Sequence, residues 1–310
     1  MAFHFKRKES VAKAVKRLGR EGIEDALKCL KDCRHAEAIH CARKDIKKVR
    51  AVMRLVQAEI GKKEFCRVTR RLRDAASWLA NPRDAYIKVR TLQKLIRHFK
   101  GQLGPRALRH LRSELRKSFD EEMKNFAREK IARKVERRLR GASKQVEKLE
   151  VEGKGWKALG PGVRRAYRKG QCGLQAARKD TTPVNLHEWR KSVKDLWYHV
   201  TLLNRIWREQ MDAMASELET LGEYLGDDHD LVVLRMEIEK LGWRDGRAHE
   251  LEIVNGLIEQ RHIELLAAAF ALGGRFYAEK SSTFCNRLGG YWHAWRREKK
   301  RLSRSARSAT

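Results

Sequence analysis

The chain of 310 residues carries 71 Lys and Arg against 40 Asp and Glu, a formal net charge of +31 at neutral pH. No run of about 18 apolar residues occurs, which excludes a membrane-spanning helix. A charge this large opposes compaction unless a polyanion or counterions offset it, so the expected partner is a nucleic acid, an anionic membrane surface or a phosphate polymer. Hydrophobic residues make up 42% of the chain, enough for one large or two ordinary cores. Met1 to Ser10 lacks the apolar centre of a secretory signal. Six scattered cysteines (Cys29, Cys33, Cys41, Cys66, Cys172, Cys285) read as free thiols in a reducing, cytoplasmic setting.

Only four prolines and abundant Ala, Leu, Arg, Lys and Glu predict an all-α fold. In chain order, helices are expected near 9–32, 35–60, 62–80, 84–102 and 105–143. Gly101, Gly104 and Pro105 punctuate the boundary before the fifth. The glycine-rich stretch Glu152 to Gly162 is the expected linker. Helices near 157–178, 183–209, 211–226, 228–242, 246–272 and 275–300 follow, with Thr182 as N-cap and Pro183 at the first helical position. A basic extension, 301–310, is expected to be frayed.

Two segments recur. His40-Cys-Ala-Arg43-Lys44-Asp-Ile-Lys47 returns as His187-Glu-Trp-Arg190-Lys191-Ser-Val-Lys194, an H-x-x-R-K-x-x-K pattern repeated 147 residues on. Leu72, Ala75, Trp78, Leu79, Arg83 and Asp84 match Leu218, Leu221, Tyr224, Leu225, His229 and Asp230 at an offset of 146. This predicts a tandem duplication with helical repeats at 1–150 and 151–300 and the basic tail after them. Four or more antiparallel helices per repeat give two four-helix-type bundles about a pseudo-two-fold axis.

At 100° per residue, His40, Arg43, Lys44, Lys47 and Arg54 share one helix face, opposite Ala42, Ile46, Val49, Met53 and Val56. The second copy places His187, Arg190, Lys191, Lys194, Tyr198 and Arg205 together, opposite Trp189, Val193, Leu196, Val200, Leu203 and Trp207. Like charges at i, i+3 and i+4 destabilise a helix by about 0.2–0.5 kcal/mol per pair. An unmixed stripe present twice is therefore read as a device for holding anions. Arg, Lys and His suit phosphate oxygens as fork donor, mobile charge and pH-dependent donor. Lys63, Arg67, Arg70 and Arg71 form a further basic face. Arg164, Arg165, Tyr167, Arg168 and Lys169 form a basic cluster after the linker.

These paired motifs, the L-x-x-L-x-x-x-x-(R/H)-D segments and the Arg164-Arg165-x-Tyr167-Arg168 run resemble the CHAD family, the conserved histidine α-helical domain. The resemblance implies a two-bundle helical fold with a basic central groove for inorganic polyphosphate, and association with polyphosphate granules. Carried over residue by residue, it marks His40, Arg43, Lys44, Lys47 and Arg50, and His187, Arg190, Lys191, Lys194 and Tyr198. Arg83-Asp84 departs from the His229-Asp230 pairing, so Asp84 and Asp230 are expected to orient bases or cap helices. The residue reading adds Arg67, Arg71, Arg164 and Arg168 as polyphosphate ligands.

Asp227-Asp228-His229-Asp230 is read as an acidic helix N-terminus rather than a metal site. Cys29, Cys33, His40 and Cys41 have zinc-like spacing with no completing pair. Glu150-x-Glu152-x-Lys154 matches the signature of CYTH-type triphosphate tunnel enzymes, but no strands surround it. No nucleophile–base pair or P-loop appears. The expectation is a binding module without catalytic residues, cofactor or metal. The alternatives are a nucleic-acid binder and an accessory subunit of a polyphosphate- or triphosphate-metabolising enzyme.

Overall fold

Helix α1 (Val11–Leu30) starts at Ser10, whose hydroxyl accepts from the Lys13 amide at 3.2 Å and so satisfies one of the free N–H groups of the first turn. In this computed structural model, which describes residues 3–32, 35–103, 108–240 and 248–305, α1 packs antiparallel to α2 (Ala36–Leu55). Helices α3 (Lys62–Trp78), α4 (Ala80–His98), α5 (Arg109–Arg128) and α6 (Ile131–Glu147) follow. Next come α7 (Trp156–Lys179), α8 (Pro183–Leu202), α9 (Arg208–Lys240), α10 (Ala248–Phe276) and α11 (Ser281–Ser305). The described residues contain no strand, so the fold is all-α as the composition predicts.

The apolar stripes close two cores. The larger joins Ile39, Ile46, Val49 and Met53 of α2 to Trp189, Val193 and Leu196 of α8, with contributions from α1, α3, α6, α7, α11 and the start of α9. The smaller gathers Val89, Leu92 and Leu95 of α4, Leu111 and Leu115 of α5, Leu231 and Leu234 of α9, and Val254 and Leu257 of α10. Each core draws on both halves of the chain. Trp189 is fully buried and stacks on Phe270 at 5.6 Å, so Trp189→Ala should destabilise the fold by about 3–5 kcal/mol. Thr182 caps α8 as expected, accepting from the Asn185 amide at 3.3 Å with Pro183 at the first helical position.

Several expected boundaries move. The helix expected at 105–143 is two, because Lys130 adopts a left-handed conformation (φ 51°) that turns α6 away from α5. No Gly or Pro marks that break. It is made by packing, since α5 lies on α4 while α6 lies on α3 and α1. Conversely, the helices expected at 211–226 and 228–242 are one, α9, which runs unbroken through both cores. Asp227 to Asp230 therefore sit mid-helix and cap nothing. The linker is shorter than expected, because Trp156 to Gly162 already belong to α7. The chain at 301–305 continues α11 rather than fraying, and 306–310 lie outside the described residues. Gly104 and Pro105 lie outside them too.

The cysteines also depart from expectation. Antiparallel packing of α1 and α2 sets the Cα atoms of Cys29 and Cys41 6.1 Å apart, and the two are joined as a disulfide. Cys66, Cys172 and Cys285 are free. Cys33, the other cysteine of the zinc-like spacing, lies outside the described residues. Trp207, expected on the apolar stripe, is 46% exposed and packs edge-on against Tyr291, because α8 ends at Leu202 and the stripe's phase is lost beyond it. No described helix is long and apolar enough to cross a membrane.

Candidate functional site: a basic cleft between the two motif helices

Helices α2 and α8 lie against each other, so the two H-x-x-R-K-x-x-K stripes border one shared concavity. A staple beneath it comes from His199 of α8, which is buried and pairs through Nε2 with the Ala51 carbonyl of α2 at 3.1 Å. Burial and Arg54 push His199 down to about 3, so the ring is neutral and its N–H donates. Arg54 of α2 pairs with Asp195 of α8, and Arg165 of α7 donates to the Arg54 carbonyl. Gly162 of α7 permits this approach: a Cβ there would lie 1.9 Å from the Leu55 carbonyl oxygen.

The larger compartment, about 1520 Å³, is walled by α2, α7, α8 and α11. Lys47, Arg50 and Arg54 enter from α2, and Lys157, Arg164, Arg165, Arg168 and Lys169 from α7. Arg190, Lys191, Lys194 and Tyr198 enter from α8. Glu188 and Asp195 are its only acidic lining residues among those described. The smaller compartment lies between α2, α4, α8 and α9 and contains His40, Arg43, Lys44, Arg83, Arg90 and Lys94. Its α9 wall is acidic, with Glu219, Glu223, Asp227 and Asp230. Lys47, Arg190, Lys194 and Tyr198 line both compartments, which makes the two one continuous groove.

Small residues on α9 create the room these cations need. A Cβ at Gly222 would sit 2.8 Å from Lys194 Cδ, and one at Gly226 would sit 3.3 Å from Arg190 Nε. The two glycines, one helical turn apart, form a slot along which the α8 cations lie. Arg43 is fixed by donating to the Ala76 carbonyl of α3, and Lys194 lies over the Trp197 ring at 4.0 Å. Asp84 accepts from Arg83 at 2.7 Å, and Asp230 lies 4.0 Å from the same guanidinium, so both carboxylates orient Arg83. Asp227 pairs with Lys94 at 2.7 Å and Asp228 with His262 at 2.5 Å. The four side chains from Asp227 to Asp230 thus serve different partners on α4, α8 and α10 and do not converge on one point.

Crowding of like charge shifts the site's protonation. Lys47 is exposed along the cleft, though protein atoms crowd around it on several sides. That desolvation, followed by Arg190, Arg83, Arg43 and Lys194, pushes it down to about 7. Burial first, then Arg83, Lys47 and Lys44, lowers His40. His187 packs against His229 with centroids 4.5 Å apart and the rings tilted by 42°, and its buried Nδ1 has no partner among the described residues. Desolvation and then Arg190 lower His187, and the same two causes push His229 down to about 4. Burial raises Asp195 and Asp230, opposed by Arg54 and Arg83 respectively. Gathered in one groove, these cations are held at a mutual electrostatic cost.

Of the sequence-predicted ligands, His40, Arg43, Lys44, Lys47, Arg50, Arg164, Arg168, Arg190, Lys191, Lys194 and Tyr198 line the groove. His187 sits behind it against His229. Arg67 and Arg71 line neither compartment; they lie on the part of α3 that packs beside α6. Lys157, Arg90 and Lys94 lie outside the two repeated motif segments and the 164–169 cluster, so the spacing of those motifs does not mark them. Gly222 and Gly226 also escaped notice, although their i, i+4 spacing in a helical segment was a readable sign of close packing.

The CHAD domain profile matches residues 17–239. No curated protein matches the chain. Among solved structures, the CHAD domain from the plant Ricinus communis superposes with a TM-score of 0.62 at 15% identity, covering 91% of this chain and 96% of that one. PptA from Streptomyces chartreusis superposes with a TM-score of 0.60 at 14% identity, covering 86% and 98%. At these identities the structural likeness speaks for the fold alone, while the profile match, which spans most of the chain, shows that this protein belongs to the CHAD domain family.

Proposed function

We propose that this chain binds inorganic polyphosphate in the groove between α2 and α8, as a non-catalytic module that associates with polyphosphate granules. The observation that carries the reading is the meeting of both motif stripes in one groove, continuous through Lys47, Arg190, Lys194 and Tyr198. The aromatic residues at its walls favour a ligand without bases. Tyr198 is 7% exposed, Trp156 packs on Trp292 at 6.3 Å, and Lys194 covers Trp197, so none offers a free stacking face. Among the described residues the groove is lined chiefly by donors suited to phosphate oxygens.

Titration with long-chain polyphosphate, duplex DNA and single-stranded RNA at one salt concentration tests the reading. Polyphosphate should bind most tightly; equal or weaker binding than either nucleic acid would overturn it. Arg190→Gln with Lys194→Gln removes two charge-assisted contacts of about 1.5–3 kcal/mol each, so affinity should fall about a hundredfold or more. The melting temperature of the free protein should hold, because desolvation in the groove already disfavours both charges. Phosphate release in Mg2+ or Mn2+ should be flat with time, and release abolished by His40→Ala would instead support an enzyme.

A further inference from the structure

Resting on the polyphosphate reading of the groove, we infer that the outer face of α3 and α6 is a second, weaker polyphosphate-binding surface, through which one protein bridges two chains. Arg71 and Arg73 are two residues apart and so lie about 200° apart around α3. Arg73 is the one that acts on Arg50 of the groove. Arg71 lies instead across α6, where a Cβ at Gly141 would sit 2.7 Å from its Nη1. That glycine leaves room for a guanidinium that no described carboxylate receives.

The rest of the face repeats the pattern. Lys63, Arg67 and Arg70 share the outward side of α3, and Arg137 and Lys144 the outward side of α6, opposite the buried Leu72 of α3 and Leu139 of α6. None of these five has an ion-pair partner among the described residues. The face's central acid, Asp74, is taken by Arg138 at 3.3 Å. Some other helical basic residues do find carboxylates, as Arg17 does in Glu9 and Glu21 and Arg116 in Asp120.

Charge complementarity demands a polyanion, and the chemistry of the face selects a phosphate chain over a nucleic acid. Among the described residues it presents one aromatic, Trp78, which is covered by the Arg138 guanidinium at 5.6 Å from the ring centroid. A flexible chain of bare phosphates can follow a shallow row of Arg and Lys, whereas bases would find nothing to stack on. Open solvation makes this face weaker than the enclosed groove.

The test is a bridging assay with the full-length protein. Beads carrying long-chain polyphosphate are saturated with protein, washed, and offered a fluorescent polyphosphate. The unaltered protein should capture the soluble chain. R67E/R71E/R137E should coat the beads as before yet capture at least about fivefold less. The neutral set R67Q/R71Q/R137Q should give an intermediate loss and guards against misfolding of the charge-reversed protein. Undiminished capture by R67E/R71E/R137E would overturn the inference, as would capture of labelled duplex DNA in preference to polyphosphate. R190Q/K194Q separates the two ideas: if that variant coats the beads as well as the unaltered protein, the groove reading has failed whatever the outer face does.

Discussion

Lys47 stands where the two compartments meet, and its position makes it the groove's titrating residue. Desolvation and four neighbouring cations push it down to about 7. A bound anion would favour the charged ammonium and raise that value, so binding takes up a proton wherever the free lysine is neutral. Affinity should therefore fall as pH rises above about 7, by at most tenfold per pH unit for this one group. Isothermal titration in buffers of different ionisation enthalpy would count the proton, and Lys47→Met should flatten the profile above pH 7. The histidines act lower: His40 is already below its ordinary value, and His229 is near 4. The motif's spacing made His40 and His187 legible in the sequence, and it made Lys47 legible as a ligand. It gave no sign that the lysine and not a histidine would titrate nearest neutrality. That depends on Arg83 and Arg190, which are distant in sequence and reach Lys47 only through the fold.

At the level of elements, the groove is built from unlike walls. Helices α7 and α8 bring Arg and Lys, while α9 brings Glu219, Glu223 and Asp227 at one-turn spacing into the smaller compartment. The sequence itself carries this inequality of the two halves, because at the 146-residue offset Glu217 and Glu219 stand where the first copy has Arg71 and Arg73. What projection could not supply was the facing partner, since one helix wheel does not say what lies across from it. The acidic wall should weaken the hold on phosphates in the smaller compartment relative to the larger. Glu219→Gln with Glu223→Gln should then tighten polyphosphate binding several-fold at low salt, and the gain should shrink as salt screens it. Equal affinity at all salt concentrations would mean that the chain never approaches α9. The glycine slot predicts the opposite sign: Gly226→Val should weaken binding by displacing Arg190, with little loss of helix stability. The break at Lys130 and the continuity of α9 were both hidden for one reason. Local propensity is nearly uniform along these Ala-, Leu-, Glu- and Arg-rich segments, so tertiary packing decided where the helices end.

For the whole molecule, the net charge of +31 and the enclosed groove together predict steep salt dependence. By analogy with single- and double-stranded nucleic acids, the log–log slope should be about −0.7 to −0.9 per phosphate neutralised. If the proposed binding holds, long-chain polyphosphate should also raise the melting temperature, because a ligand of the folded state would relieve crowding among its cations. The same excess of positive charge that announced a polyanion in the sequence is thus the source of the free protein's electrostatic weakness.

The unbroken α9 has a kinetic consequence. Its first turns are anchored in one core by Met211, Leu218 and Leu221, its last turns in the other by Leu231, Leu234 and Ile238, and its middle forms the cleft wall. A wall clamped at both ends cannot swing without disrupting packed apolar contacts on either side. The groove should accordingly be ready before the ligand arrives. Stopped-flow mixing with polyphosphate, read through Trp197 beside Lys194, should give one exponential whose rate rises linearly with ligand concentration and drops sharply with salt. A slow phase that saturates at high ligand would instead reveal a closing step, and with it a hinge in α9.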